Sequence, residues 1–195
     1  MIENLNKKII EWVCENTNDC MVSDVIIGLS YTKVTLADKR AGLSFTFAHQ
    51  CSRACCPPGD SEPLAGRKAL ELVKGLSSTK QVERSVALAT INALRNDDFK
   101  GEGERDALSA GVVRKSDKVS MVGYFGPLVA PLTSQCKELH VFDKDISKAK
   151  MLSPLADMPE IVQQSDVSFI TSTSFADDSA EEILSAAKEC RELIL

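Results

Sequence analysis

The side chains best suited to a soft metal sit together in one short stretch: His49, Cys51, Cys55 and Cys56. Imidazole and thiolate are the preferred ligands of zinc and related ions. The spacing, His-x-Cys-x3-Cys-Cys, departs from the usual structural zinc patterns, and adjacent cysteines chelate a single ion awkwardly. The plainer alternative is a loop with ordinary free thiols, since Pro57, Pro58, Gly59 and Pro63 break the segment from His49 to Pro63. A second group is Gly123-Tyr124-Phe125-Gly126-Pro127, which follows the apolar run Val119 to Val122 and leads into a helical pattern. Glycines let a ligand approach the backbone, and the opening turn of a helix offers unpaired amides and a partial positive charge. Gly123 and Gly126 occupy the second and third places of the dinucleotide fingerprint, with Met121 at the first. Pro127 suits a first helical turn. Asp143 closes the next strand-like run, where an acid could accept ribose hydroxyls or simply cap a helix. A third group, Thr171, Ser172, Thr173 and Ser174, follows the run Val167 to Ile170. Ligands of open parallel sheets bind at the carboxyl ends of strands, so these hydroxyls are placed to face such a crevice or to cap the helix beginning near Ser179.

Other chemistry finds no support. There is no nucleophile elbow, metalloprotease helix or phosphate-binding P-loop. His140 lies inside a predicted strand and reads as a packed residue. Asp97-Asp98 and Asp177-Asp178 sit in polar stretches and read as solvated loops or caps. No general base is paired with a nucleophile, so no reaction is named and enzyme status stays open.

The elements that must position these groups differ in style between the two halves. Ile2, Leu5, Ile9, Trp12 and Val13 share one face of an amphipathic helix. Val25, Ile27, Leu29 and Tyr31 alternate with other residues, and Val34 and Leu36 continue past a bend near Ser30. Leu43, Phe45 and Phe47 then alternate as a half-buried strand, with Asp38 to Gly42 as the hairpin loop. A helix carrying Leu64, Leu72, Val73 and Leu76 ends near Gly75, and another opens with Ser78 and Gln81 at capping-box spacing. Residues 1–98 thus form an α+β domain, and the polar stretch 99–117 is a linker with a short helix near Ala107. From 118 to 195, strands at Val119, Leu139 and Val167 alternate with helices, which predicts a parallel sheet. The helix Ser179 to Glu192 leads into Leu193-Ile194-Leu195, the opening of another strand. Doubly wound sheets usually carry about five or six strands, so the second domain reads as a shortened version of a longer one.

A net charge of −5 argues against a nucleic-acid binder, which needs a clustered basic surface. No stretch approaches the roughly 20 apolar residues of a membrane span. The N-terminus lacks a secretory cleavage pattern and the seven cysteines are odd in number, so a disulfide framework is not expected and a cytoplasmic location is. Cys14, Cys136 and Cys190 fall in helical patterns as small buried hydrophobes.

Three stretches together resemble the family described as "Putative heavy-metal chelation" proteins: Val82 to Leu94 with its Ala89-Thr90-Ile91-Asn92-Ala93 core, Lys118 to Leu128, and Asp166 to Thr173. The resemblance implies an enolase N-terminal-like domain followed by a Rossmann-like domain, and a site in the cleft between them built partly from the Gly123 to Pro127 turn. Asn92 is the first-domain residue it carries over. Its alternative role is bonding to neighbouring backbone. Family members normally continue with another strand and a Gly-rich stretch, which this sequence does not contain. The leading expectation is therefore a protein that binds a soft metal ion or a metal-chelating small molecule. The alternatives are a nucleotide- or S-adenosylmethionine-dependent enzyme using Gly123, Gly126 and Asp143, and a non-catalytic interaction module. Homo-oligomerisation is left open.

Overall fold

Asn4 opens the first helix, α1 (Leu5–Asn16), by accepting the Lys7 amide on its side chain at 3.1 Å, which satisfies one of the orphan donors of the first turn. The computed structural model describes residues 4–46, 63–96, 112–145, 147 and 151–195. They divide into one unit of Met1–Lys100 with Phe175–Asp178 and a second of Gly101–Ser174 with Ser179–Leu195.

In the first unit α1 buries Val13 and Asn6. Asn6 is tolerated inside because its amide donates to Leu76 O and to Asp178 Oδ1. Trp12, expected on the core face, is instead exposed, with the Arg95 guanidinium 5.3 Å above its ring. That cation–π contact lets an aromatic ring stay at the surface.

Three antiparallel strands follow in the order β1 (Val22–Ile27), β2 (Tyr31–Leu36) and β3 (Ala41–Phe45). The expected hairpin loop is shorter than its reading, because Ala41 and Gly42 already pair with Thr35 and Val34. Leu36 N donates to Arg40 O, and Lys39 takes φ 74° at the tip. The alternation itself is also reversed on β3. Gly42 and Ser44 face inward, whereas Leu43 faces out. The reason is steric. A Cβ on Gly42 would stand 2.2 Å from both Ala89 O and Ala93 N of α3 (Gln81–Arg95), so helix backbone lies directly on the strand. The largest side chains of β3 cannot share that face. Small polar groups fill it and satisfy one another: Thr32 Oγ1 meets Thr46 Oγ1 at 2.7 Å, and Ser85 Oγ donates to Phe45 O at 2.8 Å.

The helix before α3 is only α2 (Ala69–Val73), tightened into a 3-10 turn over Lys74–Ser77. The capping-box expectation fails. The N-cap of α3 is Lys80, and Ser78 lies two residues ahead of it, accepting the Lys80 amide and donating to Glu83 Oε2.

The second unit is a parallel sheet ordered β5 (Glu138–Phe142), β4 (Lys118–Val122), β6 (Val167–Ile170) and β7 (Glu192–Ile194). Lys118 to Val122 pair in register with Glu138 to Phe142, and Val119 to Val122 with Val167 to Ile170. Both faces are covered, which is why β6 is apolar without a clean alternation. Val119, Met121 and Phe169 pack with Leu132 of α4 (Gly126–Gln135). Val122, Phe142 and Ile170 pack with Val162 of α5 (Met158–Gln163) and Ile183 of α7 (Ala180–Ala186). Helix α5 was not read from the sequence, since six residues are too few to show a period. The last helix is shorter than expected, giving way at Ala187–Glu189 to a 3-10 turn before β7. Between β6 and α7 stands the single turn α6 (Thr173–Ala176). Among the described residues no helix is long and apolar enough to cross a membrane.

Candidate functional site

The geometry of the Gly123 turn follows from the ladder that precedes it. β4 lies between β5 and β6, and one further bond is made on each side beyond the strand: Gly123 N donates to Phe142 O and Thr171 N to Val122 O, both at 2.8 Å. The chain leaving β4 runs through α4 to β5 on one side, whereas the chain leaving β5 returns to β6 on the other. Loops diverge at such a reversal, and this switch point is where open parallel sheets hold ligands. Gly123 sits at that break with φ 94°. A Cβ there would be 2.7 Å from Thr171 Cβ and Cγ2, so the glycine is required both for its left-handed backbone and for room. The structure therefore brings together two of the groups singled out above, the glycine turn and the start of the hydroxyl run.

Their polar groups are partly committed to the protein itself. Tyr124 N donates to Asp143 Oδ2 at 2.8 Å, and Asp145 N donates to Oδ1 at 2.7 Å. The half-buried Asp143 carboxylate thus binds back onto the turn. Thr171 Oγ1 lies 3.0 Å from Thr173 Oγ1 and receives Thr173 N, while Ser174 Oγ donates to Thr171 O at 2.7 Å. These bonds hold the α6 turn, the nearer helix that the sequence reading had not placed. Ser172 is exposed. On the other side, α4 begins at Gly126 with Phe125 as N-cap, and among the described residues no side chain caps it. Pro127 occupies the first turn without needing an acceptor. The Tyr124 ring lies over Gly126, 3.1 Å from where a Cβ would be, and its hydroxyl donates to Met151 Sδ at 3.5 Å. Met151 is an exposed thioether at this turn that sequence reasoning missed. Nothing local marks it, because Tyr124 and Met151 are 27 positions apart.

The remaining candidates lie elsewhere. Asn92 belongs to the first unit, where its amide donates to Leu43 O at 2.7 Å, which is the backbone-bonding role weighed above. His49, Cys51, Cys55 and Cys56 lie outside the described residues. Among the described residues, no group of three or more His, Cys, Asp or Glu side chains is arranged to hold a metal ion. Cys14, Cys20, Cys136 and Cys190 are free thiols and half-buried rather than fully enclosed. Burial pushes the Cys136 thiol up from its ordinary value. Cys190 Sγ sits 3.1 Å from Ser168 Oγ, which in turn meets Ser120 Oγ across the strands. His140 holds Glu138 Oε1 at 2.8 Å and Ser153 Oγ at 3.3 Å on the edge strand β5. The His140 hydrogen bond draws the Glu138 carboxyl below its ordinary value.

A three-stranded antiparallel sheet with helices, followed by a four-stranded parallel sheet with a glycine turn at its reversal, defines a mixed α/β protein of two units. The sequence matches two family models, DUF4213 over residues 10–95 and DUF364 over residues 106–195, each described as "Putative heavy-metal chelation". The chain belongs to this family. It is 26% identical over 204 residues to an uncharacterized protein of Methanocaldococcus jannaschii, covering 100% of this chain and 77% of that protein. Its fold is that of two crystal structures of DUF364-family proteins of unknown function. The one from Desulfitobacterium hafniense matches with a TM-score of 0.80 at 22% identity, covering 99% of this chain and 78% of the other. The one from Pyrococcus horikoshii matches with a TM-score of 0.75 at 20% identity, covering 97% and 75%.

Proposed function

We propose that this chain binds a metal-chelating small molecule, or a soft metal carried in such a chelate, at the carboxyl ends of β4 and β6. The family description supplies the ligand class. The observation that carries the location is Gly123 packed against Thr171 at the reversal of strand order, beside a helix that no side chain caps among the described residues. The Asp143 carboxylate bonded to Tyr124 N weights the turn towards a cationic or hydroxyl-bearing ligand rather than a bare phosphate, because it already neutralises one of the amides an anion would use. The described donors near the turn, Asp143 and the Met151 thioether, do not complete a coordination sphere. A metal that arrives with most of its ligands supplied by a chelator fits these residues better than a naked ion does. In this reading the first unit is enolase N-terminal-like and the second Rossmann-like, with domains at 1–98 and 118–195 joined by the linker 99–117. The setting is the cytoplasm, where free thiols persist.

Isothermal titration calorimetry of the full chain tests the proposal, using nickel, copper and zinc ions alone and as their histidine chelates. Stoichiometric heat is expected with the chelates and at least a tenfold loss of affinity in Gly123→Val. A folded wild-type chain that takes up neither ion nor chelate would sink the proposal. Gly123, Gly126 and the acid at the end of β5 favour one other reading, an adenine-cofactor enzyme. Ribose hydroxyls would there compete with Tyr124 N and Asp145 N for Asp143. A thermal shift with adenine nucleotides or S-adenosylmethionine, and none with the metal chelates, would choose it.

A further inference from the structure

The face of the antiparallel sheet turned away from α3 has a composition that an isolated soluble surface does not need. Cross-strand register sets its rows. Ile26, Lys33 and Leu43 stand in one row across all three strands, Tyr31 and Phe45 in the next, and Asp24, Thr35 and Ala41 in the row on the other side. Tyr31 and Phe45 meet edge to face with ring centroids 6.0 Å apart. Ile26 is 53% exposed, Tyr31 60% and Leu43 57%. Three large side chains at this exposure leave on the order of 300 Å² of apolar surface, in the range of the largest apolar patch on a typical monomer, which often serves a function. Among the described residues the patch holds one cation, Lys33, at its centre and one anion, Asp24, a row away. Neither side chain has a salt-bridge partner among the described residues, although Asp38, Glu83 and Asp117 elsewhere are paired.

We propose that this face is a two-fold interface between two copies of the chain. An isologous contact requires a patch complementary to itself. One positive and one negative group, a row apart on the same face, meet that requirement, because a two-fold axis between the rows sets Lys33 of each copy over Asp24 of the other. Ile26 and Leu43, which share the Lys33 row, then pack nearest the axis, and Tyr31 extends the contact one row further out. An anionic lipid surface is disfavoured as occupant, since it attracts clustered basic residues, whereas this face offers one lysine in a chain of net charge −5.

Analytical ultracentrifugation of the full chain over a wide concentration range tests this, with circular dichroism confirming that each surface variant is folded. A monomer–dimer equilibrium is expected. Leu43→Glu and Lys33→Glu should each weaken it about tenfold or more, the latter by setting like charges against each other. Combining Lys33→Glu with Asp24→Lys restores the opposite-charge pairing and should return the dimer constant to within about threefold of the wild type. A chain that stays monomeric at every concentration overturns the proposal, as does a dimer indifferent to Leu43→Glu and Lys33→Glu. Vesicle binding by a chain that remains monomeric also overturns it, assigning the patch to lipid.

Discussion

Asp117 shows how much a single side chain can hold at the end of the sheet remote from the candidate site. It is buried just before β4, accepts Arg114 N on Oδ2, and takes both arms of the Arg191 guanidinium, Nη2 at 2.7 Å and Nη1 at 3.2 Å. Arg191 directly precedes β7, so the pair ties the first strand of the sheet to the last. The Arg191 hydrogen bond is the main cause that holds the Asp117 carboxyl below its ordinary value of 3.8. A carboxyl lowered in the folded state adds stability that is present above its unfolded pKa and is lost as pH falls through the lower folded value. Urea unfolding of the wild type should therefore weaken below about pH 3.8, whereas Asp117→Asn should start weaker at neutral pH and lack this part of the acid dependence. An unchanged acid limb in the variant would show that other carboxylates govern it. The sequence reading left Asp117 inside the polar stretch 99–117, and nothing local could mark it, because its partner lies 74 positions away.

Among the elements, the contact of α3 with β3 depends on the absence of one side chain. With Gly42 that close to the backbone of Ala89 and Ala93, any Cβ must push helix and strand apart. Overpacking of this kind costs about 1–3 kcal/mol and more where backbone must move. Gly42→Ala is accordingly expected to lower the unfolding free energy by about 3 kcal/mol in denaturant titration; a loss under about 0.5 kcal/mol, the range of ordinary surface substitutions, would mean the contact yields freely. The same contact explains why the strand's faces were misread. Leu43 and Phe45 carry the apolar period that a half-buried strand shows, yet close helix approach favours the face with Gly42, Ser44 and Thr46. The parallel strands were easier to read, since burial on both faces gives short, mostly apolar runs. Helices α5 and α6 were not, because a turn or two carries no periodic signal.

At the scale of the whole chain, ligand binding and unit stability are linked by mass action. A ligand at about 100 times its dissociation constant adds about 2.7 kcal/mol to the state that binds it. A thermal-shift titration with the metal chelate should raise the unfolding midpoint of the wild type and of Gly42→Ala by similar increments, although the latter starts lower. Gly123→Val, with its affinity lowered tenfold or more, should gain about half as much or less. An equal gain in Gly123→Val would place binding away from the switch point.

By itself the sequence determined which segments are strands of the parallel sheet, the two-part organisation of the chain and its resemblance to the chelation family, because apolar runs, glycines and prolines act within a few residues of themselves. Only the tertiary structure decided that Gly123 meets Thr171, that Asp143 folds back onto the turn, that Met151 reaches Tyr124 and that Leu43 faces outward. Each of these is a contact or a direction fixed by how strands order and how closely a helix can approach them. Residue type and spacing carry no record of either.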